Sequence, residues 1–221
     1  MSRLVVLISG TGRNLQAILA AQRAGRIRGE IAAVISNNPE AAGLVHAQAA
    51  GITLAVVNHR DHPDRAAFDA ALATAIDRHR PDFIALAGFM RILGSEFVQR
   101  YRGRLLNIHP SLLPKYPGLN THARVLAAGE RWHGASVHFV TEAVDGGPVI
   151  LQGRVPVKPG DSPEALAERV MRDVEQVIYP EVLAWACAGR LQMRDDTVWL
   201  DGRALTAPLQ LEILQTETEH G

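Results

Sequence analysis

A chain of 221 residues that is 47% hydrophobic is long enough to bury one sizeable α/β core. Its 23 basic and 23 acidic residues cancel, so it lacks the basic excess that non-specific nucleic-acid binding needs. One cysteine excludes an internal disulfide, and no apolar run approaches the ~20 residues of a membrane span. The apolar run after Met1-Ser2-Arg3 stops at Ile8, too short for a signal peptide, so a cytoplasmic protein is expected. Cys187, set among Ala184, Trp185, Ala186 and Ala188, is expected to be a buried, inert thiol.

Short apolar runs alternate with helical patterns through the first half. Strands are predicted over residues 4–9, 31–36, 53–57, 83–87 and 105–108. Helices are predicted over 14–24, 41–50, 64–79 and 95–100. Uniformly apolar strands between helices indicate a parallel sheet buried on both faces. After residue 108 the rhythm changes. A helix is predicted over 121–128, and strands over 134–140 and 149–157 flank a Gly146-Gly147-Pro148 turn as an antiparallel addition. Ser162 can cap a long helix with Pro163 in its first position, and Pro180 should kink or divide it. Residues 191–193 and 198–200 suggest a terminal hairpin, and residues 210–221 a frayed tail. The expected class is α/β, one domain over 1–221, with an open, mostly parallel Rossmann-like sheet and helices on both faces.

Ser9-Gly10-Thr11-Gly12-Arg13-Asn14 joins the first strand to the first helix. Glycines let backbone approach a ligand, and free amides at a helix N-terminus favour an anion. A dinucleotide fingerprint fits poorly. Leu15 takes the third glycine position, and no acidic residue follows the second strand to hold a ribose. A single phosphate suits this loop better than a pyrophosphate. A plain tight turn would use the same glycines.

Residues 105–118 read L-L-N-I-H-P-S-L-L-P-K-Y-P-G. Asn107 and His109 lie two apart on a predicted strand, so both side chains point to one face. An amide and an imidazole projecting together suit oxyanion stabilisation with proton handling, as in acyl transfer. Either residue alone would be ordinary: a turn-capping asparagine, a satisfied strand-end histidine. His122, His133 and His138 match no metal-ligand spacing, and no metal is expected. Ser136 and His138 share a strand face, either lining the cleft or packing behind it.

The N-I-H-P-S-L-L-P segment closely resembles the signature of the folate-dependent formyltransferases, and the resemblance runs from Leu4 to about Arg203. Within that family, G-T-G-R-N-L-Q is similar to the phosphate loop of the branch acting on 5-phosphoribosylglycinamide in purine biosynthesis. The resemblance implies formyl transfer from 10-formyltetrahydrofolate, as co-substrate, to the amine of that ribonucleotide. It implies that Gly12, Arg13, Asn14, Leu15 and Gln16 bind the phosphate, although the family often has serine where Arg13 stands. Asn107, His109 and Asp145, the last in a D-G-G-P segment, are implied as catalytic. A carboxylate beside His109 would favour its imidazolium form. The pterin slot is implied at Met90, Arg91, Ile92 and Leu93. It is closed by Thr141, Glu142, Ala143, Val144 and Asp145, with Asn107 beside it. Arg65 matches an arginine that meets the folate glutamate, Glu175 a glutamate on the ribose, and Arg172 a polar phosphate contact.

On this reading residues 1–104 carry the ribonucleotide-phosphate half and 105–205 the catalytic, folate-closing half. The partners are small molecules, without nucleic acid or membrane, and the state is a monomer or weak homodimer. Two related enzymes are disfavoured. The methionyl-tRNA formyltransferase carries a further C-terminal domain, and formyltetrahydrofolate deformylase a further N-terminal one. A nicotinamide-dependent oxidoreductase is disfavoured by the incomplete glycine fingerprint.

Overall fold

The computed structural model describes residues 1–212. Five strands come first: β1 (Ser2–Ile8), β2 (Gly29–Ser36), β3 (Leu54–Val56), β4 (Phe83–Leu86) and β5 (Leu105–His109). They are connected through α1 (Arg13–Arg23), α2 (Gly43–Ala49), α3 (Arg65–Asp77) and α4 (Ser95–Arg100), and they pair in parallel. Next come α5 (Thr121–Ala127), β6 (Trp132–Phe139), β7 (Val149–Pro156), α6 (Pro163–Val170) and α7 (Gln176–Cys187). Strands β8 (Leu191–Arg194), β9 (Thr197–Leu200) and β10 (Arg203–Ala204) form a separate small antiparallel sheet, and β11 (Leu209–Glu212) ends the described chain. The main sheet has the order β11-β7-β6-β5-β4-β1-β2-β3, and β6 alone runs against the rest. The expected α/β class and mostly parallel sheet are therefore observed.

Strand alternation divides the interior into two cores. Leu4, Val6 and Ile8 pack on one face with α1, α6 and α7, while Val5 and Leu7 pack on the other with α3 and α4. The capping expectations hold: Ser162 accepts the Ala165 N–H at 3.2 Å and Pro163 opens α6. Cys187 is buried, and burial pushes its thiol up to about 11.

One expectation is narrowed and one is corrected. The long helix is not divided at Pro180, which lies buried inside α7. The irregularity is upstream, a π-turn at Met171–Glu175. The tail is not frayed from Gln210. Leu209–Glu212 pairs in parallel with β7, from Leu209↔Leu151 to Glu212↔Arg154, and gives that strand a partner on its outer side. Residues 213–221 lie outside the described chain.

The order of strands fixes where a ligand can sit. From β1 the chain steps outward to β2 and β3, then returns to β4 on the other side of β1. The loops leaving β1 and β4 therefore diverge and open a crevice at the carboxyl ends of the parallel strands. Tyr179, fully buried on α7, braces this end. Its hydroxyl lies 3.0 Å from both the Leu86 and Leu106 carbonyl oxygens.

Candidate active site

Strand β5 delivers Asn107 and His109 to one face, as the spacing predicts. The His109 Nε2–H donates to the Tyr116 carbonyl at 2.9 Å, so the loop that follows β5 fixes the ring's tautomer and orientation. Nδ1 then faces Asp145, 3.4 Å from Oδ2. This is ion-pair range and longer than a good hydrogen bond. An imidazolium at this position has an acceptor opposite each nitrogen. Asp145 reaches it from the β6–β7 loop, with its backbone in the left-handed region at φ 50°. Its Oδ2 also accepts the Gly118 N–H at 2.8 Å, which joins that loop to the Pro-rich loop after β5.

His138 completes the cluster. It is 2% exposed, and burial lowers its pKa despite the carboxylate of Asp145 nearby. Its Nδ1–H donates to the Phe139 carbonyl at 2.9 Å, which leaves Nε2 as an acceptor for the Asn107 amide at 3.2 Å. One Asn107 N–H is thereby fixed, and the second remains to meet a ligand oxygen. Ser136 does not line the cleft. It is fully buried, accepts from the Leu113 N–H and Gln152 Nε2, and donates to the Ser111 carbonyl, pinning the Pro-rich loop. His133 and His122 bond one another at 2.9 Å. Among the described residues, no three His, Cys, Asp or Glu side chains cluster at metal-binding distance.

The first loop is built for close approach. Gly12 sits at φ 75° before α1, and a Cβ there would come within 2.6 Å of the Gly43 Cα. The Gly43 N–H donates to the Gly10 carbonyl at 2.9 Å, so α2 supports the loop from behind. No side chain caps α1, which leaves its first amides free for an anion. Leu15 is fully buried, so only its amide can serve. The Gln16 amide contacts His46. The Arg13 side chain turns away onto α6 and forms a two-point pair with Glu168 at 2.6 Å for each bond. Arg172, likewise, is exposed and held by the adjacent Asp173 at 2.6 and 2.7 Å. Glu175 is brought to the loop: it is 5% exposed and accepts from Asn14 Nδ2 at 2.7 Å. Burial raises its carboxyl above the usual range, against the Asn14 bond and Arg13. The other Asn14 side-chain atom, Oδ1, is buried without a partner. An orphaned buried acceptor beside free helix amides is a position where a hydroxyl or N–H of a ligand fits.

Residues 88–94 leave β4 as an irregular segment. Phe89 is buried in the second core, while Met90 and Ile92 expose 69% and 65% of their surface. Arg91 is exposed, Leu93 half-buried, and Arg65 exposed at the start of α3. Asp69 anchors the segment: it is 7% exposed and accepts the Gly94 N–H at 2.7 Å. Thr141 is half-buried, and Glu142, Ala143 and Val144 are exposed. The Gln99 amide of α4 donates to Glu142 and steadies this loop.

A family model described as formyl transferase matches residues 2–183. The chain belongs to the formyl transferase family. It is 52% identical over 202 residues to the phosphoribosylglycinamide formyltransferase of Escherichia coli, covering 91% of this chain and 95% of that one. It is 47% identical over 205 residues to the enzyme of that name in Haemophilus influenzae, covering 93% and 96%. A solved phosphoribosylglycinamide formyltransferase structure from Coxiella burnetii superposes with a TM-score of 0.90 at 51% identity, covering 95% of this chain and 99% of that one.

Three residues that the structure brings to the candidate site carry no motif in the sequence. His138 was legible as a strand-face neighbour of the cleft but not as the acceptor that orients Asn107, because cross-strand register is not written in either strand alone. Asp69 and Ser9 look like ordinary helix and loop residues. Only the chain's return from β3 to β4 brings Gly94 and Met90 to them.

Proposed function

We propose that this chain transfers the formyl group of 10-formyltetrahydrofolate to the amine of 5-phosphoribosylglycinamide, a step of purine biosynthesis. The observation that carries the proposal is the convergence of Asn107, His109 and Asp145 beside a crevice with a free helix N-terminus on one side. The near full-length identity to enzymes named for this reaction supports it. In this reading, the α1 amides with Asn14 and Glu175 hold the phosphoribosyl end. The apolar side chains of Met90, Ile92 and Val144, all open to solvent, fit the walls a flat heteroaromatic needs.

The residues' chemistry follows. The acceptor amine adds to the formyl carbon, forming a C–N bond, and negative charge grows on the formyl oxygen. The free Asn107 N–H donates to that oxygen; His109, both of whose ring nitrogens face the Tyr116 carbonyl and Asp145, would act on it as an imidazolium through charge rather than through a further hydrogen bond. Asp145 holds His109 and takes up the proton that the attacking nitrogen releases. That proton is returned to the departing folate nitrogen as the original C–N bond breaks. No covalent enzyme intermediate is needed. The protein works in the cytoplasm, as a monomer or weak homodimer, and no described helix is long and apolar enough to cross a membrane.

The test mixes the protein with both substrates and follows tetrahydrofolate and formylated ribonucleotide together. Equal formation of the two is the expected result. Formate released without formylated ribonucleotide would assign a deformylase instead.

A further inference from the structure

The crevice between β1 and β4 is bridged by a side chain that none of the roles above uses. Ser9 leaves β1 immediately before Gly10, and its hydroxyl donates to Asn37 Oδ1 at 2.5 Å. The same oxygen accepts the Met90 main-chain N–H at 2.7 Å. Asn37, 3% exposed at the end of β2, is fixed by His59, whose Nδ1 lies 3.0 Å from its carbonyl oxygen and 3.2 Å from its Nδ2. A hydroxyl has one proton. With that proton committed to Asn37, a lone pair of Ser9 is aimed at Met90, and the direction of the chain is set.

We propose that Ser9 is a positioning residue that couples the two substrate subsites. This rests on the functional reading above, in which the Gly10–Gly12 loop serves the ribonucleotide and Met90 opens the pterin slot. The loop is tied to α2, because the Gly43 N–H donates to the Gly10 carbonyl and Gly12 lies close against Gly43. Movement of the loop on taking up a phosphate is therefore passed through Ser9 to the Met90 amide. Residues 88–94 have no regular structure of their own, so fixing that amide removes part of the ordering cost of filling the slot. Ribonucleotide should therefore tighten folate binding, and folate should tighten ribonucleotide by the same factor. One neutral hydrogen bond sets the scale at roughly fivefold.

The experiment is calorimetric titration of 5,8-dideazafolate, a folate analogue without a formyl group, with and without saturating 5-phosphoribosylglycinamide. The ratio of the two dissociation constants is read for the native protein, Ser9→Ala and Ser9→Thr. The expected ratio is about fivefold in the native protein, near one in Ser9→Ala, and recovered in Ser9→Thr, which keeps the hydroxyl. A merely structural serine would weaken both titrations and leave the ratio alone. A native ratio of one with both ligands bound, or a full ratio surviving in Ser9→Ala, overturns the coupling. Should Ser9→Ala fail to fold, Ser9→Cys, a weak acceptor of similar size, must lose the ratio for the proposal to stand. Failure of either ligand to bind the native protein would refute the functional reading instead.

Discussion

The side-chain amide of Asn107 lies 3.2 Å from Nε2 of His138, its register partner across the antiparallel β5–β6 pair. His138 holds that amide only while neutral, and its burial keeps it so by lowering its pKa. His138→Phe should preserve the buried ring volume and remove the acceptor. Turnover should fall roughly tenfold while the KM for ribonucleotide stays within about twofold, because only the oxyanion donor is loosened. Steady-state kinetics decide this, and a large KM change with unaltered kcat would show that His138 serves binding.

His109 is locked between the Tyr116 carbonyl and Asp145, with almost no freedom of its own. Its removal should therefore be a chemical loss more than a binding one. His109→Ala is expected to lower kcat by about 10²–10⁴, with ribonucleotide affinity changed less than about tenfold. Isothermal titration beside single-turnover rates separates the two. Equal losses in both would reduce His109 to a strut for the Pro-rich loop.

The main sheet was legible because its strands are uniformly apolar and its helices carry their own start signals, such as Ser162-Pro163. Asn107 and His109 were legible because a period of two needs no tertiary information. What stayed hidden depends on distant contact. The Arg13 guanidinium pairs with Glu168, 155 residues away, a partner that its own loop does not announce. Residues 210–212 looked like tail because their polar pattern matches an edge strand as well as a frayed end, and only pairing with β7 tells them apart. Pro180 reads as a helix breaker by residue type alone, yet it lies buried inside α7.

The proposed phosphate subsite calls for a careful choice of variant. Gly12→Val would force a Cβ within 2.6 Å of the Gly43 Cα at φ 75°, so it would distort the loop as well as any ligand contact. Glu175→Gln is cleaner, because an amide oxygen still accepts from Asn14. Burial raises the Glu175 carboxyl, so the folded protein holds its proton more tightly than the unfolded chain does. Stability is therefore lost as pH rises from the ordinary carboxylate range through that raised value, and it stays lost above it. Removing the charge should raise the melting temperature near neutral pH, by roughly 2–4 °C for each kcal/mol regained. It should also raise the KM for ribonucleotide about tenfold, since a charged acceptor for ligand hydroxyls is lost. A lower melting temperature in Glu175→Gln would mean that the Asn14 bond outweighs the burial.

The His122–His133 pair makes the fold sensitive to acid. Burial pushes His133 down to about 4, and burial with nearby His109 lowers His122 as well. Unfolding returns such a ring to the ordinary histidine value of about 6.5. Between about 6.5 and about 4 the unfolded chain therefore binds the extra proton, so stability is full above that window and is lost as pH falls through it. Linkage bounds the His133 share at roughly 3 kcal/mol. Denaturant midpoints measured from about pH 7.5 to 4.5 should drop less in His133→Gln, which keeps an N–H for His122, than in the native protein. Parallel curves for the two proteins would move the acid sensitivity to His138 or His79, whose values burial also lowers.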